Sequence, residues 1–234
     1  MSGDTWPTFG SVSFDDTCRL VAGERTIDVE HGLGGLSRSR DDLVQLVRLS
    51  GVTDSRLQAQ YERHPVGLDR TNLIFGTQMS RLVNDTFANP GHGTRFGSKG
   101  RSGVWYCARE FETAVAEVGH HRIRQLREVN RPDEPSIVRT LFLADVRAER
   151  FAHLDVADPR SDACLDPDSY DASQAFADNV RRLDGEGISY PSVRRPGGWC
   201  LAAFRAQLVS RVRRAGTYRL AIEGFRLVAV EEIG

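Results

Sequence analysis

Lysine is almost missing from this chain of 234 residues: Lys99 stands alone among 31 basic residues, and the other 30 are arginine. Arginine favours forked recognition of phosphate and carboxylate. Against 32 acidic residues, however, it leaves a formal net charge of −1. No global field exists to hold a polyanion, so charge gives no ground for a nucleic-acid partner. Long apolar runs are missing too. None approaches the roughly 20 residues needed to cross a bilayer, so no membrane partner is expected. Cysteine is sparse, with Cys18, Cys107, Cys164 and Cys200 far apart and no Cys-x-x-Cys pair. Without a signal-peptide pattern, reduced thiols and a cytoplasmic location are expected. Cys107 and Cys200 lie in apolar runs and read as small core residues rather than nucleophiles. Residues 155–171 carry six aspartates and two prolines but lack the glycine and closing glutamate of a calcium loop, and are expected as a solvated surface loop. Ser192 lacks a Gly-x-Ser-x-Gly context and an assignable aspartate and histidine, which excludes a serine hydrolase.

What is there centres on residues 94–122. Gly97, Gly100 and Gly103 bracket a polar loop with Lys99 and Arg101, as a chain does where it bends sharply or approaches a ligand. Val104-Trp105-Tyr106-Cys107 follows as a buried strand. A helix capped by Glu112 or Thr113 comes next, with Ala114, Val115 and Val118 on one face and His120, His121 and Arg122 in its last turns. Glu117 falls beside that face, where a carboxylate needs a cationic or hydrogen-bonding partner. An ion pair to Arg95, Arg122 or Arg124 and a chemical role both fit that position. His120 and His121 follow Glu117 closely, but no further cluster completes a metal site, so no metal is expected.

In chain order, residues 1–35 are rich in Gly, Ser, Thr and Asp, and no element is assigned there. Leu43, Leu46, Val47 and Leu57 predict two amphipathic helices over residues 37–62, broken at Ser50-Gly51. His64-Pro65-Val66-Gly67 sets a boundary between an N-terminal extension, 1–66, and a domain, 67–234. Residues 71–75 and 79–83 read as short strands or ordered loop, with Arg81 facing outward. Residues 136–146 and 150–154 are expected as two strands. Residues 172–183 form a helix stopped by the glycines of Asp184-Gly185-Glu186-Gly187. Residues 187–204 read as a strand, a loop and a second strand. Their loop, with Ser192, Arg194 and Arg195, either grips a phosphate or is an ordinary tight connection. Residues 216–222 and 225–233 close the chain as a hairpin around Glu223-Gly224.

Taken together, Arg81, then Thr94-Arg95-Phe96 with its glycines, Trp105-Tyr106, Thr113-Ala114-Val115-Ala116-Glu117-Val118, and Gly187-Ile188-Ser189-Tyr190-Pro191-Ser192-Val193-Arg194 occur in an order that resembles the RES-domain family. That family is named for an arginine, a glutamate and a serine. The resemblance covers residues 70–209. It implies an α+β fold, a mixed, mostly antiparallel split β-sheet core flanked by helices, similar to ADP-ribosyltransferase toxins. To this the chain would add a small helical N-terminal extension. It further implies a toxin paired with an Xre-type antitoxin and acting on NAD+, cleaving its nicotinamide–ribose bond by phosphorolysis or hydrolysis. NAD+ is then substrate rather than cofactor, with inorganic phosphate a candidate co-substrate. Carried over by position, the catalytic group is Glu117, Arg95 and Ser192. The dinucleotide contacts are Arg81, with Arg70 the competing residue, Arg95, Tyr106, Ser192 and Arg194. Two alternatives stand beside this: transfer of ADP-ribose to a protein, and a catalytically silent binding module working through residues 37–62. Homo- or hetero-oligomeric assembly is left open.

Overall fold

The computed structural model describes residues 6–22, 70–88 and 93–234. The helices expected over residues 37–62 lie outside the described residues. A seven-stranded mixed sheet forms the body, in the order β1-β2-β5-β4-β3-β6-β7. Its strands are β1 (Phe9–Ala22), β2 (Trp105–Ala108), β3 (Glu134–His153), β4 (Gly187–Pro191), β5 (Trp199–Ala203), β6 (Val209–Glu223) and β7 (Arg226–Glu232). Among the described residues only β3 and β4 pair in parallel, through Phe151↔Gly187 to His153↔Ser189. The other pairings are antiparallel, as expected.

β1 is the element the sequence reading left unassigned. It pairs along β3 from Phe9↔Ala152 to Ala22↔Arg139 and touches β2 at Cys18↔Ala108. The pairings therefore run in a ring, β1-β2-β5-β4-β3 and back to β1, with β6 and β7 continuing from β3. Residues 9–22 are thus part of the sheet although they precede the expected boundary at residue 66. Burial explains why β1 was missed. Val12, Thr17, Cys18, Leu20 and Val21 are buried, but a bulge between Phe14 and Thr17 interrupts the two-residue period.

Among the described residues three α-helices cover the sheet: α1 (Ser80–Ala88), α2 (Phe111–Glu128) and α3 (Asp171–Arg182). One core cluster joins Ala114, Val115 and Leu126 of α2 and Phe176 and Val180 of α3 to Ala108, Leu141, Ile188 and Ala202 of the sheet. The other joins Val83 and Phe87 of α1 to Trp105, Phe142, Phe151 and Leu201. Neighbouring residues such as Leu141 and Phe142, or Leu201 and Ala202, divide between the two clusters. This is the alternation a sheet buried on both faces requires.

Several expectations need correction. Residues 79–83 are not a strand, because the apolar pattern continues past them: Val83 and Phe87 lie one turn apart on α1. Residues 70–72 form a 3-10 turn, and Asn84 holds the next segment by accepting from Ile74 N at 3.0 Å and donating to Ile74 O at 2.8 Å. Residues 134–153 are one strand rather than two. Buried Val146, Ala148 and Phe151 carry the sheet face straight past exposed Arg147, Glu149 and Arg150. α2 starts at Phe111, so neither Glu112 nor Thr113 caps it, and it runs far enough that His120 and His121 sit mid-helix. The stop after α3 is Asp184, at φ 58°, ahead of the glycines. The final hairpin forms around Glu223-Gly224 as expected, with Gly224 and Phe225 both left-handed in the turn, but its first strand begins at Val209 rather than at residue 216.

Candidate functional site

α2 lies against the sheet with Glu117 pointing over β5 and β4. There a cavity of about 350 Å³ opens between α2, β1, β2 and the loops at 94–95 and 170. That volume falls within the range of small-molecule sites, about 300–1,000 Å³. Glu117, Arg95 and Tyr106 all line it.

The carboxylate is held from one side. Ser192 Oγ donates to Glu117 Oε1 at 2.7 Å, and Cys200 Sγ stands 3.8 Å from the same oxygen. Ser192 is itself fixed, because its oxygen accepts from the backbone N–H groups of Arg194 and Arg195, each at 3.1 Å. The Ser192 proton is thus committed to Glu117 and its lone pairs are occupied. The loop between β4 and β5 therefore turns its backbone donors onto a serine hydroxyl. The phosphate-gripping alternative for those N–H groups does not match this arrangement.

Arg95 is 7% exposed and lies across the cavity wall. Its Nη1 donates to Cys164 O at 2.9 Å and Asp166 O at 2.8 Å, and its guanidinium sits 4.9 Å from the centre of the Tyr170 ring. Arg95 thus anchors the 164–170 loop while presenting charge to the cavity. Tyr106 is locked similarly: its hydroxyl lies 2.8 Å from Thr94 Oγ1 and accepts from Phe96 N at 2.9 Å. Burial, partly offset by those bonds, pushes its phenol up to about 12, so it stays neutral.

Arg194 stands beside the site, not among the cavity's lining residues, and donates to Pro167 O. Arg81 is not brought to the cavity. It sits on α1 paired with Asp85, one turn on, at 3.6 Å. Arg70 opens the 3-10 turn. The arginine that does reach the cavity from outside the predicted set is Arg19 of β1. It donates to Tyr106 O at 2.7 Å and stacks over Trp105 at 4.4 Å. A signal for it existed: a cation embedded in Cys18-Arg19-Leu20-Val21, the same pattern read at Arg81.

His121 also lines the cavity, one turn beyond Glu117 on the same helix face. The residue is exposed to solvent on its other side. Partial burial nevertheless lowers its pKa, with Arg194 and Arg124 adding to the effect and Glu117 opposing it. His120 is lowered to about 4, first by burial and then by Arg194 and its helix neighbours. Burial raises the thiols in the cavity wall: Cys18 and Cys107 to about 11, and Cys200 further, helped by Glu117. Protonated thiols are poor nucleophiles. Among the described residues no cluster of His, Cys, Asp and Glu could hold a metal ion. No described helix is long and apolar enough to cross a membrane.

A family model described as the RES domain matches residues 74–223, a span that contains Arg95, Tyr106, Glu117 and Ser192 and begins after β1. Among solved structures, the chain is similar to a chain of the M. tuberculosis MbcT-MbcA toxin-antitoxin complex. The TM-score is 0.45 and the identity 12%, covering 90% of this chain and 87% of that one. No curated protein matches it.

Proposed function

That this chain belongs to the RES-domain family is the premise from which we propose its activity: cleavage of the bond between nicotinamide and ribose in NAD+. The observation that carries this reading is the Glu117 carboxylate, oriented by Ser192 at 2.7 Å inside a walled cavity. A carboxylate there attracts the cationic nicotinamide ring. As the C1′–N bond breaks, its electron pair moves to the nicotinamide nitrogen and positive charge develops on the ribose. Glu117 Oε2, which receives no hydrogen bond from the described residues, is free to stabilise that charge or hold a ribose hydroxyl. An acceptor oxygen then bonds to C1′. When the acceptor is water, its proton leaves to solvent; when it is phosphate, the product is a sugar phosphate.

Supporting groups follow from the geometry. Arg95 and Arg19 bring cationic charge to the cavity for the pyrophosphate. The locked Tyr106 offers a ring edge rather than a titrating hydroxyl. In the cell we propose the role the family implies: a toxin that depletes NAD+, held in check by an Xre-type antitoxin. The test is product analysis after incubation of the purified chain with NAD+, with and without inorganic phosphate. Free nicotinamide is expected, with ADP-ribose as co-product in the hydrolytic case and its 1″-phosphate in the phosphorolytic one. Intact NAD+ under both conditions, from folded protein, would overturn the proposal.

A further inference from the structure

The loop between β4 and β5 does more than hold Ser192: it is fastened to the first turn of the helix that carries Glu117. Thr113, fully buried on α2, donates its hydroxyl to Glu110 Oε2 at 2.8 Å and accepts from Arg195 Nη1 at 3.2 Å. Arg195 Nη1 also stands 4.0 Å from Glu110 Oε2, and the same carboxylate oxygen accepts from Trp199 N at 3.4 Å. The loop is closed on itself by Ser192 N to Gly198 O at 2.9 Å and Gly198 N to Arg195 O at 3.0 Å. Gly198 packs so tightly on Thr113 that an added Cβ would fall 2.5 Å from Thr113 Oγ1 and 2.9 Å from its Cγ2. Glu110, just before α2, has an extended backbone and makes no side-chain cap. Its carboxylate is turned to the loop instead of the helix end.

We propose that Glu110, Thr113 and Arg195 form a clamp that fixes the distance between Ser192 and Glu117, making them positioning residues for the cleavage proposed above, on which this inference rests. The physical reason is geometric. Glu117 lies one turn beyond Thr113 on the same helix, so the clamp and the Ser192–Glu117 bond tie one loop to one helix at two successive points. With one point released, the loop can pivot about the other. A shift of the order of 1 Å in a catalytic contact costs as much as about 100-fold in rate.

The decisive variant is Thr113→Val, which keeps the shape and removes the hydroxyl, beside Thr113→Ser, which keeps the hydroxyl. For Thr113→Val the clamp predicts a loss of roughly 10- to 100-fold in kcat with little change in KM. Thr113→Ser should recover most of it. In a Ser192→Ala background Thr113→Val should cost almost nothing more, since the bond it positions is already gone. Independently of NAD+, backbone hydrogen exchange at Arg194 and Arg195 should accelerate in Thr113→Val, and likewise in Arg195→Gln, a partly exposed change that spares the core. Exchange unchanged in both variants would overturn the clamp, as would a kcat loss fully additive with Ser192→Ala. If the wild-type chain leaves NAD+ intact, the exchange result still decides the clamp, so the two proposals fail separately.

Discussion

Ser192 illustrates how little a side chain's identity says until its partners are known. In the sequence it stands outside any serine-hydrolase context, in a loop that either grips a phosphate or is an ordinary connection, and resemblance makes it a catalytic residue and dinucleotide contact. In the structure its single proton goes to Glu117 and its oxygen accepts from Arg194 N and Arg195 N, an arrangement that supports the positioning role proposed for it. Arg95 was a candidate site residue in the sequence, but its hold on Cys164 O and Asp166 O was not legible there, because those partners lie some 70 residues away. Arg19 and Tyr170 escaped notice for the same reason. Histidine gives a prediction at this scale. His120 is held at about 4, below its ordinary 6.5, by burial and by Arg194, His121, Arg124 and Arg127. The unfolded chain therefore binds the proton first, and stability falls as pH drops from about 6.5 towards about 4. Replacing His120 with Gln should flatten the decline of Tm across that window. An unchanged slope would show that this imidazole is not the group being titrated.

Among elements, the loop at 164–170 owes its position to two arginines, Arg95 and Arg194, that donate to its carbonyls. Arg95→Ala should leave two carbonyls without their buried donor, a cost of about 1–3 kcal/mol. Amide exchange should rise across 164–170 while β4 and β5 keep their protection. Uniform protection throughout would contradict this role. β2, β4 and β5 were readable because each is a short run of β-formers bounded by turn residues, and the closing hairpin was readable at its Glu223-Gly224 turn. α1 was misread because the apolar spacing that reveals a helix needs Phe87, beyond the window considered. β3 was divided in two because its exposed charges, Arg147 and Glu149, resemble a turn when the alternating burial of their neighbours is unknown.

At the scale of the whole molecule, the α+β class and the order of motifs were readable, whereas the ring of strand pairing was not. Sheet closure depends on β1, whose partner β3 lies more than 110 residues further along the chain, and no local pattern encodes such a distance. If β1 is integral, Val12→Asp should destabilise the entire protein. An uncompensated buried charge costs on the order of 3–5 kcal/mol, and at about 2–4 °C per kcal/mol Tm should fall by roughly 6–20 °C. A variant that melts like the parent would show that β1 is dispensable to the sheet. The proposed chemistry centres on the Glu117 carboxylate in the cavity. The most direct measurement is the rate of nicotinamide release from NAD+ by the purified wild-type chain and by Glu117→Gln, with circular dichroism to show that both are folded. Release by the wild type, reduced about 100-fold or more in the variant, is the predicted result. Equal release by the two proteins would contradict the account.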